Sequence, residues 1–160
     1  MPELKSPESY YRATAGATDY PSLSGKQDAE VCIIGGGFAG LATACSLMER
    51  GQNDVVVLES QHVGFGASGR NGGFVFGGFS LGERGLVDTV GTEEGRKLYR
   101  LTLDAVEQIR RRIARYGIDC DASHAGIYLA NWFDDDSILE SQQRFMADSL
   151  GVDWKMVSRD

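Results

Sequence analysis

The sequence predicts an α/β fold that opens with a strand–helix–strand unit and runs on into a helix-rich segment. Three observations carry this expectation. Residues 30–34 and 55–58 are short β-branched apolar runs, as in strands covered on both faces. Gly35-Gly36-Gly37 breaks the first run and opens a stretch with helical spacing. Beyond the second run the chain carries nine glycines between Gly64 and Gly85, interleaved with Phe65, Phe74, Phe76 and Phe79.

Each element follows in order. Residues 1–27 are polar, with Tyr10 and Tyr11 as the bulky pair, and read as an arm packed over another part of the protein. The helix over 38–50 places Leu41, Ala44, Cys45 and Met48 on one face and stops at Gly51. Glu59 closes the second strand. The glycine run is not a flexible linker, which would lack aromatics; it reads as backbone pressed against a large flat object. Residues 92–116 form a long amphipathic helix, with Thr92 as N-cap and Leu98, Leu101, Ala105, Ile109, Ile113 and Tyr116 as its apolar stripe. Gly117 is the expected C-cap. A strand is expected over 126–130. Asp134-Asp135-Asp136 then lead a helix ending near Leu150, with Gly151 after it. A short strand is expected over 154–157, and Ser158-Arg159-Asp160 as the first turn of another helix. The organisation expected is an arm (1–27), a βαβ unit with its glycine loop (28–85) and a helix-rich continuation (86–160). Two strong strands and two weak ones cannot complete a parallel sheet, so the chain reads as the N-terminal part of a longer protein.

Composition excludes several classes. The 160 residues include 42% hydrophobic and 24% charged residues, which is not a disordered composition. A net charge of -7 argues against nucleic-acid or anionic-membrane partners. The uncharged stretch 31–48 is interrupted by Gly35, Gly36, Gly37 and Gly40, so it is not read as a membrane span. There is no apolar signal segment near Met1. Cys32, Cys45 and Cys120 are spaced for neither zinc nor redox pairing; Cys32 and Cys45 are expected to be small buried hydrophobes. No metal site is expected, and a soluble cytoplasmic protein is. Arg110-Arg111-Arg112 with Arg115 read as a solvated helix face, Asp134 to Asp136 as a helix start, and Trp132-Phe133 as core.

Gly35-Gly36-Gly37-Phe38-Ala39-Gly40 fits G-x-G-x-x-G in the right setting: a strand before it, a helix opening at it, and an acid, Glu59, 19 residues after Gly40. Gly35 makes the turn, Gly37 lets a pyrophosphate approach the backbone, and Gly40 lets helix and strand pack closely. Phe38, Ala39 and Gly40 head the helix, whose N–H groups and dipole favour a diphosphate. Glu59, with Ser60 beside it, is placed for the ribose diol and disfavours a 2′-phosphate. The second run, Ser68-Gly69-Arg70-Asn71-Gly72-Gly73, can lay amides along a diphosphate and a ring edge, with Arg70 adding positive charge and Asn71 a fixed amide. An NAD domain would usually continue after Glu59 with a further helix and strand. Here a glycine loop follows instead.

Residues 28–41, 55–59 and 66–73 together resemble the FAD-dependent D-amino-acid oxidase/glycine oxidase/sarcosine oxidase superfamily. Within it, Ser9 to Ala15 and the Ser-Gly-Arg-Asn-Gly-Gly run are most similar to the γ-glutamylputrescine oxidase-like branch. The resemblance implies a Rossmann-like FAD-binding βαβ unit and the start of an α+β substrate domain. It implies a longer chain, with the ADP part of FAD on Gly35, Gly37, Phe38, Ala39, Gly40 and Glu59. Ser68 to Gly73 would lie near the pyrophosphate, ribityl chain and flavin. Some relatives carry a flavin-linked histidine where this sequence has Arg70, so non-covalent FAD is expected. The implied reaction oxidises the C–N bond of a small amine or amino acid to an imine, with hydride transfer to flavin and oxygen or another acceptor taking the electrons. No catalytic side chain is assigned. Two alternatives stay open: an NAD-binding dehydrogenase domain, and a non-catalytic nucleotide-binding relic.

Overall fold

The computed structural model describes residues 9–15 and 20–157, which fall into two compact units, Met1–Phe74 and Val75–Asp160.

The first unit is built on two parallel strands, β1 (Val31–Ile34) and β2 (Val55–Leu58), in the register Val31↔Val55 to Ile34↔Leu58. Short helix α1 (Tyr10–Thr14) precedes them, and α2 (Phe38–Glu49) connects them. Gly35 leaves β1 at φ +104, a conformation L side chains rarely adopt, and its N–H still donates to the Leu58 carbonyl at 2.7 Å. The strand thus turns into α2 without losing its ladder bond. Ile33 faces α2: a Cβ added at Gly40 would lie 3.3 Å from its Cγ2. Cys32 and Ile34, two apart and so on the opposite face, are exposed, Ile34 by 88%. This corrects the expectation of a strand covered on both faces, and of Cys32 as buried. Among the described residues α2 covers only one side of the sheet. Cys45 is half-buried.

The second unit is helical. Helix α3 (Glu83–Val90) lies between Gly82 and Gly91, both at positive φ. Helix α4 (Thr92–Tyr116) has the expected bounds, but Gly91, not Thr92, is its N-cap; Gly117 ends it in the left-handed conformation. Helix α5 (Ser137–Phe145) runs into a π-helical turn, Met146–Leu150, which Gly151 ends. Leu86, Tyr99, Met146 and Leu150 form the core, with Leu98, Phe145 and Trp154 packed against it. Arg96 fastens the π turn by donating from Nη2 to the Asp148 carbonyl at 2.9 Å and from Nε to the Ser149 carbonyl at 3.1 Å.

Several expectations fail here for want of a packing partner. Residues 126–130 and 154–157 have no strand structure. Ile127 and Tyr128 are exposed. Trp154 instead packs on the core, where its carbonyl accepts from Gln143 Nε2 at 2.7 Å. Trp132 and Phe133 are exposed rather than core. On α4, burial is confined to the first turns, at Gly95 and Tyr99, while Leu101, Ile109 and Tyr116 of the expected stripe are exposed. Asp136 is the N-cap of α5 without a side-chain cap bond, and the residue before it, Asp135, accepts the Ser137 N–H on Oδ1 at 3.0 Å. The turn expected at Ser158-Arg159-Asp160 lies outside the described residues. No helix among the described residues is long and apolar enough to cross a membrane.

Candidate functional site

The G-x-G-x-x-G residues, Glu59 and the glycine loop as far as Gly73 belong to the first unit and meet where β1 and β2 end and α2 begins. The junction is Gly36, the variable position of the motif, which is buried. Its N–H donates to Glu59 Oε2 at 2.8 Å, and its carbonyl accepts the Gly64 N–H at 3.0 Å. A Cβ on Gly36 would press on Glu59, 3.3 Å from its Cβ. Glu59 Oε1 accepts the Gln61 N–H at 3.0 Å, and the Ser60 hydroxyl donates to it at 3.4 Å. The Gly36 amide first, and the Gln61 amide second, hold the Glu59 carboxyl below the usual glutamate value. Oε2, which accepts only the Gly36 N–H, keeps acceptor capacity for a further donor.

Gly40 sits so close beneath the turn that a Cβ there would lie 1.9 Å from the Gly35 carbonyl oxygen. Only glycine permits that crossing. At Gly37 an added Cβ would stand 2.9 Å from Ser68 Oγ, which accepts the Phe38 N–H at 3.0 Å. The glycine loop therefore folds back onto the start of α2. The Ala39 and Gly40 N–H groups have no acceptor within the helix, because the first intrahelical bond to the cap runs from Leu41 to Gly37.

The loop holds its own shape. A short 3-10 turn, Ala67–Gly69, crosses Gly64 so tightly that a Cβ on Gly69 would meet the Gly64 carbonyl oxygen at 2.2 Å. Asn71 is tied within the loop: Nδ2 donates to the Ser68 carbonyl and Oδ1 accepts the Gly73 N–H, both at 2.8 Å. Arg70 is exposed, with Nε donating to the Gly66 carbonyl at 3.1 Å. A Cβ on Gly72 would come within 3.0 Å of the Phe74 ring. Gly77 and Gly85, by contrast, belong to the second unit and pack under Leu103 and Leu81. Their lack of side chain serves helix packing rather than a flat ligand.

Sequence reasoning left three participants unassigned to the site. Gly36 was signalled only by the tripling of glycine. Ser9 and Tyr11 approach the loop through contacts that no local pattern encodes. Among the described residues no group of three His, Cys, Asp or Glu side chains is placed to hold a metal ion.

The combined chemistry is helix-end N–H donors beside a side-chain-free turn, and an ionised acceptor at the end of the next strand. Such an array can take an anionic group at the turn and a diol at the acid, the two ends of an adenosine diphosphate half. The turn at Gly35, where an added Cβ would meet nothing within 4 Å, lies open beside these donors and fits that group.

Comparison with known proteins agrees with this chemistry. The chain is 41% identical over 123 residues to the γ-glutamylputrescine oxidoreductase of Escherichia coli, covering 76% of this chain and 29% of that protein. It is 43% identical over 102 residues to the probable oxidoreductase OrdL of Haemophilus influenzae, covering 64% of this chain and 23% of that protein. An OrdL protein of Rhizobium meliloti is 37% identical over 106 residues, covering 66% of this chain and 24% of that protein. The chain thus spans under a third of the length of these curated relatives. No solved structure matches. The family profile described as DAO, FAD dependent oxidoreductase, matches residues 30–160, and the chain therefore belongs to that family of FAD-dependent oxidoreductases.

Proposed function

We propose that this chain is the FAD-binding portion of an oxidoreductase that oxidises the C–N bond of a small amine or amino acid, of the γ-glutamylputrescine type. The observation that carries the reading is the Glu59–Gly36 bond at 2.8 Å, which fixes an ionised acceptor beside the α2 N-terminus. In this reading Gly35 and Gly37 clear the backbone for the pyrophosphate, and the N–H groups of Phe38, Ala39 and Gly40 face it. Ser68 shares the Phe38 N–H, so the loop and the diphosphate meet at one donor. Glu59 takes the ribose diol, with Ser60 beside it. Arg70 supplies positive charge near the phosphates. Asn71, Gly72 and Gly73 line the path toward the ring.

When bound, FAD supplies the two-electron acceptor that no side chain can provide. This chain's own residues bind and orient it. Oxygen or another acceptor would take the electrons. Arg70, a non-nucleophilic side chain where some relatives attach the cofactor, favours a non-covalent flavin. The loop's return onto α2 through Ser68 favours FAD over NAD, since an NAD domain would put its next helix there.

The test is the absorption spectrum of the longest natural chain carrying this sequence, before and after acid precipitation. Flavin bands that pass into the supernatant are expected. Bands that stay with the pellet overturn the non-covalent reading. A protein that stays colourless after added FAD overturns the flavoenzyme reading. Anaerobic bleaching by a panel of amines that includes γ-glutamylputrescine then tests the substrate class.

A further inference from the structure

We infer that α1 is a clasp on the glycine loop, and that Tyr11 is a positioning residue for Asn71 to Gly73 that sets how firmly the cofactor is held. The inference rests on the proposed role of that loop as an FAD contact. Two approaches converge on it from the arm. Ser9 starts α1 by accepting the Arg12 N–H at 3.2 Å, and its hydroxyl also reaches the Gly69 carbonyl, 60 residues on, at 3.5 Å. Further along α1, the Tyr11 hydroxyl lies over Gly73. A Cβ built on Gly73 would stand 3.0 Å from that oxygen and 3.7 Å from the ring carbon bearing it.

Asn71 ties Ser68 to Gly73 internally, so Gly73 is one end of that segment and Gly69 adjoins the other. The arm therefore touches both ends of a preassembled loop. Tyr10 stands edge-on to Tyr11, with ring centroids 5.6 Å apart, and restricts where that ring can go. Of the two tyrosines Tyr11 is the more covered, 42% exposed against 76%. Glycine-rich backbone loses more freedom on ordering than any other. A loop held at both ends beforehand leaves less of that ordering to the binding step, and affinity rises accordingly.

The test uses the longest natural chain, with Tyr11→Ala, Tyr11→Phe, Gly73→Ala and the Tyr11→Ala/Gly73→Ala double variant. Two quantities are read: the FAD dissociation constant by flavin fluorescence, and amide hydrogen exchange of the cofactor-free peptide over 66–74. Tyr11→Ala should weaken FAD about tenfold, the scale of one lost packing side chain, and speed loop exchange. Tyr11→Phe should show a smaller change in the same direction. Gly73→Ala should lose less affinity in the Tyr11→Ala background than in the parent, because its methyl group then meets nothing. The backbone strain at φ +70 is the same in both backgrounds and cancels. Unchanged exchange together with an FAD affinity within twofold of the parent would overturn the clasp while leaving the cofactor reading intact. A parent chain that takes up no FAD overturns both.

Discussion

The hydroxyl oxygen of Ser68 accepts the N–H of Phe38 at 3.0 Å across 30 residues of sequence. A residue of the glycine loop thereby does for α2 what an N-cap side chain normally does from the adjacent position, since the formal N-cap, Gly37, has no side chain to offer. The missing side chain at Gly37 is what lets the cap arrive from elsewhere, because a Cβ there would stand 2.9 Å from Ser68 Oγ. Ser68→Ala should lower stability by about 0.5–1 kcal/mol, the usual worth of a cap, as read by urea unfolding. It should also weaken FAD binding, because the loop loses its tie to the turn.

Gly40→Ala should be far more damaging. The conflict, at 1.9 Å, is with the Gly35 carbonyl, which is backbone and cannot swing aside. Forcing α2 away from β1 should cost about 2 kcal/mol or more and abolish flavin retention. Thermal unfolding and the absorption spectrum of the purified variant check both outcomes.

Glu59 makes stability depend on pH with a definite sign. Its folded value lies below the ordinary 4.5, chiefly because the Gly36 N–H is bonded to the ionised form. The contribution is therefore complete above 4.5 and is lost as pH falls through the lower folded value. Glu59→Gln should flatten the acid limb of a urea-midpoint titration run from about pH 6 down to about pH 3. An unaltered limb would mean that the bond does not favour the carboxylate.

Met146 is 0% exposed at the centre of the second unit. Met146→Ala should destabilise that unit by about 2–5 kcal/mol, the range for emptying a methionine site in a core. Calorimetry of the variant should show the loss in unfolding of Val75–Asp160, with unfolding of Met1–Phe74 the less affected property.

The features legible in the sequence are those whose causes are local. β1, α2 and β2 were readable because β-branched runs, helical spacing and glycine breaks lie within a few residues of what they determine. The bounds of α4 were readable from Gly117 and the apolar spacing, although Gly91 displaced Thr92 as its cap. Helix α3 was hidden by Gly82 and Gly85, which read as loop; Leu86 holds it through packing on a core supplied by α4 and the Met146–Leu150 turn. The strands expected over 126–130 and 154–157 had the right composition and no neighbouring strand. In the candidate site, the placement of Gly35, Gly37, Gly40 and Glu59 followed from spacing. The Ser68–Phe38 bond and the approach of Tyr11 to Gly73 did not, because they join parts of the chain 30 or more residues apart.

The alternation along β1 gives the protein a reporter of its own. Cys32 shares the bare face of the sheet with Ile34. A β-branched surface open to water is adhesive, and any element laid over it would shield that thiol. The alkylation rate of Cys32, resolved from Cys45 and Cys120 by peptide mass, thus distinguishes a preparation with this face open from one with it covered, without ligand or crystal.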